Sequence, residues 1–137
     1  MTSDPYTLLA EFLQAKRASR FAWGKNDCCL FAADWLVALG KPDLMAEFRG
    51  KYSDALGACR LWRTVGGYEA EGARRLEAAG LVNVPPLLAP RGSIAIFPTH
   101  KRHGGFGVVE CGRVTVLTPS GLSLLPINAG TQTWRIE

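Results

Sequence analysis

At 137 residues, with 47% hydrophobic and 20% charged side chains, the chain has the size and composition of one globular domain that can close a core without disulfide staples. Sixteen Lys and Arg against twelve Asp and Glu leave a net charge of +4, spread through small clusters at Lys16-Arg17, Arg74-Arg75 and Lys101-Arg102. That dispersal argues against a nucleic-acid binder, whose charge gathers in one stripe with interleaved aromatics. Apolar runs such as Leu36 to Leu39 and Val82 to Leu88 are too short or too interrupted for membrane insertion.

The N-terminal stretch carries a polar, charged helical pattern rather than the basic-then-apolar pattern of a signal peptide, so the expectation is a protein made in the cytosol. Asp4 or Ser3 caps a first helix, with Pro5 at the first helical position, where its missing N–H costs nothing. Tyr6, Leu9, Phe12 and Leu13 recur at helical spacing as its apolar face, and the helix runs out by Arg17 to Ser19.

The stretch from Phe21 to Trp35 organises the rest. It reads as a loop turning into a helix, with Asn26 or Asp27 as cap and Cys28 in the first turn. Exposed first-turn amides and the helix dipole favour a thiolate there, which is what a nucleophile wants. Phe21 and Trp23 either fill core beside the helix or, in the case of Trp23, line a groove next to Cys28. The helix runs from Cys28 to Leu39, apolar over a broad face, and Gly40 and Pro42 stop it. Asp34 is its odd charge, on the outer face or paired with a base.

Asp43 to Phe48 gives a short helical turn. Ser53 caps a third helix, Asp54 to Val65, in which Cys59 sits among hydrophobes as an inert core thiol. A fourth, Tyr68 to Ala79, has a small apolar face at Ala73, Leu76 and Ala79, and its charges, Glu69, Glu71, Arg74, Arg75 and Glu77, are mostly solvated. Pro85, Pro86 and Pro90 then make a rigid connector. Strand-like runs follow at Ser93–Phe97, Phe106–Glu110, Val114–Thr118, Leu122–Leu125 and Thr131–Ile136, with tight turns at Cys111-Gly112 and Pro119-Ser120-Gly121. The predicted class is α+β in one domain over 1–137: helices over about 4–80, then an antiparallel meander over about 92–137.

Four cysteines, Cys28, Cys29, Cys59 and Cys111, are present without a Cys-x-x-Cys spacing, so neither a redox motif nor a zinc knuckle is written and no cofactor is called for. Cys28 or Cys29 with Cys59, Cys111 and His103 is the one conceivable metal set. Both histidines, His100 and His103, fall in the polar loop Pro98 to Gly105. A cysteine at a helix start, followed far downstream by a histidine near a strand, is the layout of papain-like nucleophiles.

Trp23-Gly24 and Asp27-Cys28 at the helix start, followed by Arg91-Gly92-Ser93-Ile94-Ala95-Ile96-Phe97, resemble NlpC-type cell-wall peptidases. Phe21 to Leu39, Arg49-Gly50, Gly66-Gly67 and Trp134-Arg135-Ile136 further resemble a family of unknown function found among tail genes of phages and prophages and related to those peptidases. The resemblance implies a papain-like fold, a virion tail location after assembly in the host cytoplasm, and tail or hub proteins as partners. It matches Cys28 to the nucleophile, but Gly105 stands where the family histidine belongs, and the third polar position falls near the apolar Val116. Two alternatives follow. One is a tail-tip or hub component on a degenerate scaffold with weak or no catalysis. The other is a cysteine peptidase or amidase cutting peptidoglycan peptides during DNA entry, with Cys28 as nucleophile, His103 as base, and Trp23 and Asp27 lining the groove.

Overall fold

The structure, a computed structural model, describes residues 4–98, 105–127 and 130–136. Helix α1 (Pro5–Arg17) starts as its sequence dictates: the Asp4 side chain accepts from the Thr7 amide, and Pro5 occupies the first turn. Leu9 and Leu13 are buried on its inner face, whereas Tyr6, expected there, is 53% exposed and lies against Arg91 instead. Helix α2 (Cys28–Ala38) buries seven side chains from Cys29 to Leu36. A helix apolar nearly all round must be covered on several sides, and α2 is, lying between α1 and the sheet. Its one acid, Asp34, pairs with Lys16 at 2.6 Å and Arg49 at 2.7 Å, joining α2 to α1 and to the loop before α3.

A 3-10 turn at Ala46–Phe48 precedes α3 (Ala55–Arg63), whose cap is Asp54 rather than Ser53. The Asp54 side chain accepts from the Gly57 amide at 2.7 Å. In α4 (Tyr68–Ala78) Glu71 is buried, contrary to the expectation of a solvated charge. It receives charge-assisted bonds from Arg74 and Arg75, and Arg75 continues to Glu47. Those partners hold the Glu71 carboxyl down at about 2, Arg74 contributing most.

Six strands follow: β1 (Val82–Val84), β2 (Ile94–Phe97), β3 (Gly105–Glu110), β4 (Arg113–Thr118), β5 (Gly121–Pro126) and β6 (Gln132–Arg135). All described pairings are antiparallel, and the order is β1-β6-β2-β3-β4-β5. The class is therefore α+β, but the sheet is not a simple meander. Only β2 to β5 run sequentially; β6 returns to pair with β2, and β1, absent from the sequence reading, pairs with β6. Positive φ at both Cys111 (48°) and Gly112 (77°) gives the β3–β4 hairpin its two-residue turn.

Strand alternation divides the sheet. Ile94, Ile96, Phe106, Val108 and Leu117 face the helices and join the main core around Phe31, Trp35 and Leu36. Ala95, Phe97, Val109, Val114 and Val116 form a separate cluster on the opposite face. The Trp35 indole donates to the Gly92 carbonyl at 2.8 Å, pinning α2 to the approach to β2. This packing delivers the first turn of α2 to the end of the sheet where β3 begins.

Candidate functional site

Of the two cap candidates it is Asp27 that caps α2, accepting from the Leu30 amide at 3.1 Å. Asn26 ties the preceding loop to the end of α1: its amide donates to the Ser19 hydroxyl (2.9 Å) and the Arg20 carbonyl (2.7 Å), and its oxygen accepts from Lys16 (2.8 Å). The Asp27 side chain is 1% exposed and collects further donors, the Gly24 amide at 2.9 Å and the Tyr52 hydroxyl at 2.6 Å. The Cys29 thiol completes the set, 3.5 Å from Asp27 and 3.4 Å from the Tyr52 oxygen. Buried carboxylates survive only when their acceptor sites are filled, and here two loops and a helix start are fastened by filling them. At Gly24 the chain passes so close to the Tyr52 carbonyl that an added Cβ would lie 2.1 Å from that oxygen. The Gly50 amide, donating to the Gly24 carbonyl at 2.8 Å, closes the same junction.

Cys28, half-buried, opens onto a cleft of about 410 Å³. Trp23 and Asp27 lie in its wall with Cys29 and Tyr52, Cys59 and Trp62 come from α3, and Tyr68, Gly105 and Phe106 close the far side. Trp23 lies in the cleft wall and also packs on the core, meeting Phe21 edge-on at 4.8 Å between centroids. Cys59 is corrected: it is exposed on the cleft wall, not an inert core thiol. Residues 55, 58, 59 and 62 share one face of α3, and that face looks into the cleft.

The electrostatics run against the expected thiolate. Burial, and then the charge of Asp27, push the Cys28 thiol up to about 11; the amides of Phe106, Cys29 and Cys28 itself pull the other way and lose. Burial and a neighbouring anion both oppose the lowering that a helix start gives a thiol. Cys29 is raised as well, by burial first and Asp27 second. Burial likewise raises the Tyr68 phenol, with Glu69 and Cys28 adding to it, and its hydroxyl donates to the Phe97 carbonyl at 2.5 Å.

Gly105 lies directly against the sulfur. A Cβ there would stand 2.8 Å from Cys28 Sγ, and the residue's φ of +134° is one that L side chains rarely adopt. Val116, the other position matched by resemblance, is buried in the cluster on the sheet face away from α2. His103 and His100 lie outside the described residues. Among the described residues no group of three or more His, Cys, Asp or Glu side chains could hold a metal ion; Cys28, Cys29 and Cys59 border the cleft, and Cys111 sits in the β3–β4 turn. No described helix is long and apolar enough to cross a membrane.

The family described as a domain of unknown function (DUF6950) matches residues 3–136. The chain belongs to this family. No curated protein and no solved structure matches it. The sequence reading missed the Asp27–Tyr52–Cys29 cluster of this family member, because Tyr52 lies 25 positions from Asp27 and looks like one more apolar aromatic.

Proposed function

We propose that this chain is a papain-like, NlpC-type scaffold that has ceased to cut, and that it works as a structural component of a phage tail tip or hub, with other tail proteins as partners. The single observation carrying the loss of catalysis is the contact between Gly105 and Cys28. The sulfur fills the space into which a histidine at position 105 would have to project. The raised Cys28 thiol and a third position turned to the opposite sheet face point the same way. A cysteine nucleophile that no base serves stays neutral and its leaving group receives no proton, which costs a catalytic unit several orders of magnitude; position 105 supplies no base. The tail assignment rests on the sequence resemblance over residues 21–39 and the loops that follow. Quantifying the protein in purified particles tests it: a fixed copy number at or near the tail tip is expected. A stable monomer absent from the particles would refute it.

A second reading, a peptidoglycan peptidase or amidase using Cys28 and His103, is favoured by the open cleft and by the backbone amides directed at the Cys28 sulfur, groups suited to a developing oxyanion. Product release from peptidoglycan fragments, lost in both Cys28→Ser and His103→Ala, would establish it. Equal turnover by wild type and Cys28→Ser would eliminate it.

A further inference from the structure

The sheet has two edge strands among the described residues, β1 and β5, and they are guarded differently. An open strand edge is a template for pairing with another chain, and proteins blunt it with short strands, charges or prolines. β1 has three residues and is followed at once by Pro85-Pro86. β5 has six, Gly121-Leu122-Ser123-Leu124-Leu125-Pro126, with no charged side chain, and Pro126 at its end is its one guard.

The register fixes which backbone groups of β5 face outwards. Thr118 and Gly121 pair across the two-residue turn Pro119-Ser120, which makes them a hydrogen-bonded pair; by alternation Val116–Ser123 and Val114–Leu125 are hydrogen-bonded pairs too. The N–H and C=O groups of Leu122 and Leu124 and the carbonyl of Pro126 therefore point away from β4. Among the described residues none hydrogen-bonds to these groups. The Leu122 and Leu124 side chains share the helix face of the sheet. Leu122, opposite Leu117, packs on the main core, whereas Leu124 is 54% exposed.

We propose that two copies of this chain pair through β5, antiparallel about a two-fold axis at Leu124. The outward groups at 122, 124 and 126 are spaced symmetrically about that residue, so the edge is complementary to itself, as a two-fold contact requires. Each Leu124 N–H donates to the Leu124 carbonyl of the other copy, and each Leu122 N–H donates to the other copy's Pro126 carbonyl. All outward N–H groups of β5 then have acceptors, and Pro126 has none to satisfy. The two Leu124 side chains stand opposite each other on one face and cover each other. A second copy is the occupant because this pairing closes: it consumes both β5 edges and leaves only β1, short and followed by prolines, at the two ends of the joined sheet.

Sedimentation equilibrium and amide hydrogen exchange on the whole chain test the proposal. The contact is small beside a standard interface of about 1,600 Å², so the mass is expected to rise from one chain to two between about 1 and about 500 μM. Over the same range the amides of Leu122 and Leu124 are expected to become slower to exchange. Leu124→Lys sets like charges opposite each other and removes the apolar contact, and is expected to weaken the pair roughly five- to tenfold. Leu87→Lys, at a leucine that is 92% exposed elsewhere, is expected to leave it unchanged; circular dichroism checks that both variants are folded. A monomer at every concentration, growth beyond two chains, a dimer indifferent to Leu124→Lys, or Leu122 and Leu124 amides whose exchange ignores concentration would each overturn the proposal.

Discussion

Gly105→Ala, combined with Cys28→Ala, tests whether the sulfur really occupies the space of the missing side chain. In the wild-type backbone an added Cβ would stand 2.8 Å from Cys28 Sγ but 3.8 Å from Cys28 Cβ, so all of the steric conflict lies with the sulfur. Overpacking of this kind costs about 1–3 kcal/mol, and holding an alanine at φ +134° adds about 1–3 kcal/mol more. Gly105→Ala alone is therefore expected to lower unfolding stability by roughly 2–6 kcal/mol. Removing the sulfur abolishes the clash and leaves the backbone strain, so in the double variant Gly105→Ala should cost about 1–3 kcal/mol less than it does in the wild type. Urea denaturation of the four proteins gives this coupling directly. Additive effects within about 0.5 kcal/mol would mean that the sulfur does not fill that space, and the structural argument against a base at position 105 would fall.

Tyr52→Phe removes one of the donors that keep Asp27 satisfied in the interior, and should destabilise the protein by about 1.5–3 kcal/mol in denaturant titration; a loss below about 0.5 kcal/mol would mean the carboxylate is solvated after all. Glu71 supplies a pH test. Its carboxyl is held at about 2 in the folded chain against an ordinary 4.5, so its contribution is complete above the unfolded value and is lost as pH falls from about 4.5 towards 2. Thermal unfolding should accordingly show a shallower acid-side decline for Glu71→Gln than for wild type, and identical slopes would contradict this. Asp27→Asn removes the second-largest cause of the raised Cys28 thiol and should move its alkylation midpoint downwards, detectable by mass spectrometry.

Local signals carried far in the helical half. Asp4-Pro5 and the polar residues before Cys28 announce helix starts through the chemistry of unpaired amides, and the structure uses Asp4 and Asp27 accordingly. The turn at Cys111-Gly112 was legible for the same reason, because a two-residue hairpin asks for positive φ at both positions. What escaped was non-local. Val82-Asn83-Val84 is a three-residue edge strand whose partner among the described residues, β6, begins some fifty positions later, and the return of β6 to β2 leaves no trace in the order of the strands. At α3 the sequence groups Leu56, Cys59, Leu61 and Trp62 as apolar, but apolar character does not say whether a side chain meets core or cleft, and Cys59, expected in the core, is exposed on the cleft wall. The raised direction of the Cys28 thiol differs from the expectation because position in a helix is visible in sequence, whereas burial and the orientation of Asp27 are properties of the fold.

The state of the Cys28 thiol tests the central claim most directly. Iodoacetamide alkylation of Cys28, followed peptide by peptide across pH, yields its titration midpoint independently of how accessible the sulfur is, with N-acetylcysteine as the reference thiol. A thiol raised to about 11 from an ordinary 9.0 keeps roughly a hundredfold less thiolate at neutral pH. The account predicts a rate still climbing above about pH 9. A rate that levels off near or below pH 7, with the plateau lost in His103→Ala, would mean that a base serves Cys28 and that the cleft is a working cysteine enzyme.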